Sequence, residues 1–258
     1  MNKTLRAILL ASLLCTPALS TAQSITLIAN TWSPYVDQNL PQQGMALELV
    51  EHVYRRAGYE PSVSIESWPR AMEGVKVGLF DVLAATWYVE SREEDFVYSK
   101  PYLVNSLKMI KLTSLQGDYF EMSHLEGKRV GVLQDYAYGV DFANVPGLTL
   151  VTENHLIQNL LNLLNDKVDF VIGDERSLAM QLSSYLNRER GKFSYVDIDL
   201  PSRSLYIAAS RDTKAGKKLV TDFNAALLET LNDGSYKAII DKWNQRYGLA
   251  LEEFPATP

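Results

Sequence analysis

Two short apolar runs, each led by an aspartate, constrain this chain more than any other feature. Asp81 to Thr86 reads DVLAAT, and Asp169 to Gly173 reads DFVIG. Short runs without polar alternation are the pattern of strands buried on both faces, as in parallel sheets covered by helices. Each run follows a stretch of helical spacing and a tight link. Before the first, Pro69 to Gly78 reads as a short helix with proline in its first turn. Before the second, Leu156, Leu160, Leu161 and Leu164 mark a helix. The same grammar used twice predicts two α/β lobes, each with a mainly parallel sheet flanked by helices.

The remaining segments fit that plan. Ser24 to Ala29 alternates polar and apolar residues and reads as a strand, and a loop rich in Pro, Gln and Asn follows. Ala46, Leu49, Val50, Val53 and Ala57 fall at helical spacing, with Gly58 placed to stop the helix. Ser62 to Ile65 and Arg129 to Leu133 read as strands, and Lys214 to Gly248 is helical again. Two extended segments, Ser106 to Leu112 and Leu205 to Ser210, border the stretch 113–203. The expected division is therefore a discontinuous first lobe, 23–112 and 204–258, and a second lobe, 113–203. Two crossovers make a hinge, and the cleft between the lobes is where a ligand would sit.

The first 22 residues stand apart from this fold. Lys3 and Arg6 precede an apolar run from Ala7 to Leu14, and small residues close the segment at Ser20 and Ala22. That order predicts a secretory signal peptide cut after Ala22, and a periplasmic protein. The run is too short to span a bilayer. Cleavage would remove two basic residues and take the formal charge from −6 to −8. Such a balance gives nucleic acid nothing to bind, since phosphate recognition needs clustered positive charge. Cys15 lies inside the segment, with Leu14 where a lipoprotein signal wants a small residue. The mature chain then has no disulfide and no thiolate metal site. His52, His124 and His155 are scattered. No Ser/His/Asp order, HExxH or phosphate-cradling glycine loop is present. No cofactor or metal is expected, and a monomer is.

Open α/β sheets bind ligands just beyond the carboxyl ends of their strands. Asp174 directly follows DFVIG, and Arg92 follows DVLAAT after a short loop. A cation on one lobe facing an anion on the other suits a zwitterion, the guanidinium forking onto a carboxylate and Asp174 accepting from an ammonium. Asp174 could equally cap the helix that starts at Glu175. Arg92 sits among Glu90, Glu93, Glu94 and Asp95, which read as solvated. Trp32, Trp68 and Trp87 fall at strand-to-helix junctions of one lobe and suggest an aromatic-walled cleft, whereas Trp243 has helical spacing with Ile239 and Ile240 and reads as core.

These residues carry a family resemblance. The segments TWSPY, GMALELVEHVYRRAGY, FDVLAAT, Arg92 and YSKPY follow in order, then KRVGVL, DKVDFVIGDE and the ending LNDGSYKAIIDKWN. In that order they resemble the periplasmic solute-binding proteins of the family 3 type, the amino-acid receptors of ABC importers. The resemblance implies a two-lobed type II binding-protein fold that closes on a small solute without a cofactor and hands it to a membrane permease. It implies that Arg92 binds an α-carboxylate and Asp174 an α-amino group, with Trp32 and Trp68 packing on the ligand and Tyr35 of TWSPY beside them. Ala85 and Trp87 stand where many members carry small or hydroxyl residues before the arginine. Asp135, Tyr136 and Ala137 stand where Gly-Thr or Thr-Thr is usual, so Tyr136 adds a polar tip. Arg70 of SWPRA reads as a surface charge. Two other functions fit a similar scaffold. One is a cyclohexadienyl-dehydratase-like enzyme, with Glu175 or Glu90 as general acid. The other is a soluble sensing module.

Overall fold

The computed structural model describes residues 22–247. Residues 1–21 of the expected signal peptide, Cys15 among them, and 248–258 of the expected first lobe lie outside the described residues. From Gln23 the chain builds β1 (Gln23–Asn30), α1 (Met45–Arg56), β2 (Tyr59–Glu66), α2 (Trp68–Lys76), β3 (Val82–Trp87) and two short strands, β4 (Phe96–Tyr98) and β5 (Leu103–Asn105). It continues as β6 (Leu107–Leu112), β7 (Arg129–Leu133), β8 (Thr149–Glu153), α3 (Leu156–Leu164), β9 (Phe170–Asp174), α4 (Glu175–Tyr185) and β10 (Phe193–Val196). It then returns as β11 (Arg203–Ser210) and closes with α5 (Lys214–Asn232) and α6 (Ser235–Tyr247). No helix of the described residues is long and apolar enough to cross a membrane.

Two sheets result. One has the order β2-β1-β3-β11-β4, with β5 also on β11, and the other β10-β6-β9-β7-β8. The apolar runs of the sequence are β3 and β9, buried along their whole length near the middle of each sheet. Their leading aspartates do the same job in both lobes. Asp81 Oδ2 accepts from the Thr26 amide at 2.7 Å, and Asp169 Oδ2 accepts from the Arg129 amide at 2.8 Å. The amides of Asp81 and Asp169 donate back to the carbonyls of Thr26 and Arg129. Each aspartate thus pins the entry of its strand to the neighbouring parallel strand, at the end remote from the ligand side. Pro61 is accommodated because β2 is an edge strand, where a missing donor costs no ladder bond.

Two expectations need correction. The sheets are mixed rather than mainly parallel. β1 runs parallel to β2 and β3, and β7 to β8 and β9, but β11 and β6 lie antiparallel to their neighbours. Crossover connections within each lobe give the parallel part, and the strands that pass between the lobes enter reversed. The change of sheet also falls earlier than 112. Asn105 pairs with Arg203 in the first sheet, whereas Leu107 pairs with Asp174 in the second. The crossover is therefore at Ser106, and Leu107–Leu112 is a strand of the second sheet. Alternation in LKMIKL announces a strand but cannot say which sheet it joins.

The loop between β1 and α1 is held by the helix it leads into. The amides of Met45 and Ala46 donate to the carbonyls of Pro34 and Tyr35 at 2.9 and 3.0 Å. Gly44 sits at φ 115°, and a Cβ there would lie 2.3 Å from the Tyr35 carbonyl oxygen. Gly44→Ala is expected to destabilise the protein by roughly 1–3 kcal/mol from backbone strain alone, before the clash is added. A urea titration that left the unfolding midpoint unchanged would refute this.

Candidate ligand-binding site

Asp174 ends β9 and begins α4, so it sits at the carboxyl end of a central strand. Its Oδ1 accepts from the Ser177 amide at 2.9 Å, which makes it the N-cap of α4. The same oxygen accepts from Tyr35 Oη, in the other lobe, at 2.9 Å. Oδ2 has no partner although the residue is only 3% exposed. One oxygen therefore caps the helix, and the Asn105 side-chain amide lies beside the carboxylate without a hydrogen bond of good geometry to the other. Burial pushes the carboxylate's pKa up, opposed by the Ser177 amide, the charge of Arg176, the Tyr35 hydroxyl and the Asn105 side chain. Burial and the neighbouring carboxylate raise Tyr35, so it serves as a neutral donor.

Arg176, 6% exposed, lies behind this pair. Its Nη1 donates to Tyr35 Oη at 3.1 Å and to the Val104 carbonyl at 2.8 Å. Ser177 Oγ donates to the Ser33 carbonyl at 2.8 Å. The start of α4 therefore touches the β1–α1 loop and β5 of the first lobe. In sequence, Glu175 and Arg176 look like one surface pair. The first is exposed and the second buried, and only the helix start separates them.

A cleft of about 250 Å³ opens beside Asp174. Trp32, Asp37, Tyr136, Asn154, Ser177 and Gln181 are among its lining residues. A second pocket, of about 30 Å³, is lined by Trp32, Trp68, Ala85, Trp87, Arg92 and Tyr136, with Asn30 shared between the two. The rings of Trp32, Trp87 and Tyr136 form the wall between them. Trp32 meets Trp87 edge-on at 5.3 Å and Tyr136 at 5.9 Å, and Trp87 meets Tyr136 at 5.3 Å. Because Tyr136 belongs to the second lobe, the wall spans the interlobe gap.

Most of the residues singled out in the sequence gather here. Arg92 ends a single 3-10 turn, Glu90–Arg92, after β3. Its guanidinium lies 5.3 Å from the Trp68 ring centroid, and Nη2 lies 3.5 Å from the Asp135 carbonyl of the opposite lobe. Arg92 and Asp174 are therefore in adjoining pockets rather than one. Tyr35 lines neither and acts on the cleft through Asp174. Glu90 and Glu175, the acids weighed for an enzyme, are exposed and line neither pocket. Arg70 pairs with Glu66 on the surface, and Trp243 is buried in the core. Asp37, Arg176 and Ser177 carried no periodicity or motif that would have marked them.

The model of the bacterial extracellular solute-binding proteins, family 3, matches residues 25–246. The chain belongs to this family. A relative in Escherichia coli (strain K12), provisionally named ABC transporter arginine-binding protein 2, is 24% identical over 250 residues, covering 94% of this chain and all of that one. An ancestral arginine-binding protein bound to arginine superposes with a TM-score of 0.74 at 18% identity, over 86% of this chain and 99% of its own. The ligand-binding core of GluR0 from Nostoc punctiforme, in complex with L-glutamate, gives 0.70 at 22% identity, over 85% and 98%. The two-lobed fold of this family 3 protein is thus shared with amino-acid-binding proteins, and its relatives are solute-binding proteins.

Proposed function

We propose that this family 3 protein captures a small carboxylated, amine-bearing solute between its lobes and delivers it to the permease of an ABC importer. One observation carries the reading: a buried aspartate at the carboxyl end of a central strand, lining an interlobe cleft. A carboxylate in that position favours an ammonium, which would replace lost water bonds with charge-assisted ones. Arg92, stacked on Trp68 beyond the aromatic wall, is the group for the carboxylate. It reaches that role when the solute's carboxylate displaces the weak contact to the Asp135 carbonyl. Trp32, Trp87 and Tyr136 would pack on the solute, and Ala85 leaves room beside them. The expected signal peptide and the family's extracellular character support a periplasmic location, with the protein working as a monomer.

Calorimetry against the common amino acids tests this reading. Arg92→Ala is expected to weaken binding about 10- to 100-fold, the loss of a charge-assisted contact of roughly 1.5–3 kcal/mol. Equal affinity in variant and parent would remove Arg92 from the site.

A further inference from the structure

Asn105 is fully buried, and it sits where one lobe becomes the other. It ends β5, paired with Arg203 in the first sheet, and two residues on Leu107 pairs with Asp174 in the second. The carbonyl of Ser106, between them, accepts from the Glu175 amide at 2.9 Å. The crossover backbone therefore holds the Asn105 side chain beside the Asp174 carboxylate. Opening and closing of the lobes alters separations least at such a pivot. The orientation of the side chain is fixed from the other direction. Trp87 Nε1 lies 2.7 Å from it, and an indole nitrogen only donates, so the carbonyl oxygen of Asn105 faces Trp87. Its NH2 group then points away from the aromatic wall, toward Asp174. Asn105 Nδ2 and Asp174 Oδ2 are both buried, and among the described residues neither has any other partner. A carboxylate only accepts and an amide nitrogen only donates, so the two atoms are complementary.

Resting on the assignment of Asp174 to the ammonium, we propose that Asn105 is a positioning residue: its amide steadies the Asp174 carboxylate, keeps it charged in a buried place, and so lets it receive an amine. Burial alone favours the neutral acid, and donors aimed at the charged form oppose that. The Ser177 amide and the Tyr35 hydroxyl both use Oδ1, which leaves Oδ2 to Asn105. Arg176 supplies positive charge behind the carboxylate, and Tyr35, Tyr136, Tyr195, Asp37 and His155 are the other titratable groups toward that end of the cleft. The residue type follows from its two neighbours. A donor-only indole on one side and an acceptor-only carboxylate on the other need one short side chain with an acceptor and a donor at opposite corners, and asparagine is that side chain. Because Trp87 is part of the wall between the Arg92 and Asp174 pockets, Asn105 also couples that wall to the ammonium end of the site.

Carboxyl-carbon NMR titration of the mature protein reads this contact without any solute, the Asp174 signal being the one lost in Asp174→Asn. In Asn105→Ala the midpoint of that signal is expected at higher pH than in the parent. Asn105→Asp keeps the shape and the acceptor for Trp87. It is expected to couple the two acids, so that the Asp174 signal titrates in two steps, the later one above the parent's midpoint. Calorimetry with the common amino acids, one at a time, then follows across pH the one that the parent binds most tightly. Asn105→Ala is expected to bind it about tenfold more weakly near the parent's midpoint and to approach the parent as pH rises, where Asp174 is ionised in both. His155 contributes to both profiles, so their difference reports Asp174. Mere damage to the fold would weaken binding equally at every pH. An Asp174 titration unchanged in either variant overturns the role of Asn105 and leaves the proposed function standing. So does a binding deficit that stays constant with pH. A parent that binds no common amino acid overturns the proposed function, and with it the part of Asn105 in receiving an amine.

Discussion

Asp174→Ala is expected to abolish ligand binding and to cost part of the fold as well. Three groups depend on this carboxylate. The Ser177 amide loses its cap, worth about 1 kcal/mol at a typical helix start. Tyr35 Oη loses its acceptor inside the core. Arg176, buried and reaching Asp174 through that hydroxyl, loses the nearest opposite charge. Breaking a buried charge pair costs roughly 3–5 kcal/mol, and because this pair is bridged the lower end applies. Asp174→Asn separates the effects. Asparagine also caps helices well, so stability should fall by no more than about 1 kcal/mol. The affinity for an amine-bearing solute should still drop 10- to 100-fold, because the charged contact of roughly 1.5–3 kcal/mol is gone. If the asparagine variant binds like the parent, Asp174 caps the helix and does nothing for the ligand.

The pH dependence of the same residue has a definite sign. Its folded pKa is raised above the ordinary 3.8 by burial, so ionisation is harder in the folded protein than in the unfolded chain. Below 3.8 the group is neutral in both states and imposes no penalty. As pH rises from 3.8 to the raised folded value, the unfolded chain sheds its proton first and the stability contribution of Asp174 falls. Above that value the loss is complete and constant. Urea titrations of the parent and Asp174→Asn should therefore diverge in this window, the parent losing stability relative to the variant as pH increases. Ligand binding runs the other way, since an ammonium needs the ionised form and should bind best above the window. Parallel stability profiles for the two proteins would contradict a raised pKa.

The elements legible in the sequence were those whose burial is settled locally. DVLAAT and DFVIG became β3 and β9 because apolar side chains on both faces allow few other fates. Asp174 and Arg92 were found by their position after those strands, a rule of topology rather than of composition. What escaped was whatever depends on a second segment. The sheet that LKMIKL joins is decided by its pairing with β9, 59 to 67 residues away in register terms that no alternation encodes. Arg176 and Glu175 are neighbours of opposite charge, and which one is buried depends on Tyr35 and Val104 of the other lobe. Asp37 looked like part of a polar loop until the cleft walls were assembled around it. The separation of Arg92 from Asp174 depends on three aromatic rings from two lobes, so their identity was legible but not their arrangement.

That aromatic wall makes Trp87→Ala the substitution expected to be most damaging to stability. Trp87 is 6% exposed, and its ring contacts Trp32, Tyr136 and Tyr138, with centroids 5.3, 5.3 and 5.9 Å away. On another side the Arg203 guanidinium lies 5.7 Å from the ring centroid. Truncating a buried aromatic of this size costs about 3–5 kcal/mol. The indole Nε1 also donates to Asn105 Oδ1 at 2.7 Å, and Asn105 is fully buried. Losing that donor adds about 1–3 kcal/mol for a stranded polar group. Trp87→Phe keeps most of the ring packing and isolates the hydrogen bond, so it should recover most of the packing loss but not the penalty at Asn105. The alanine variant also removes the partition between the Arg92 and Asp174 pockets. If the wall serves to hold the two ends of a ligand apart, this variant, assayed where it remains folded, should bind amino acids more weakly and discriminate less among side chains. Were its stability to fall by less than about 1 kcal/mol, the wall would be a soft surface feature and its place in ligand binding would have to be abandoned.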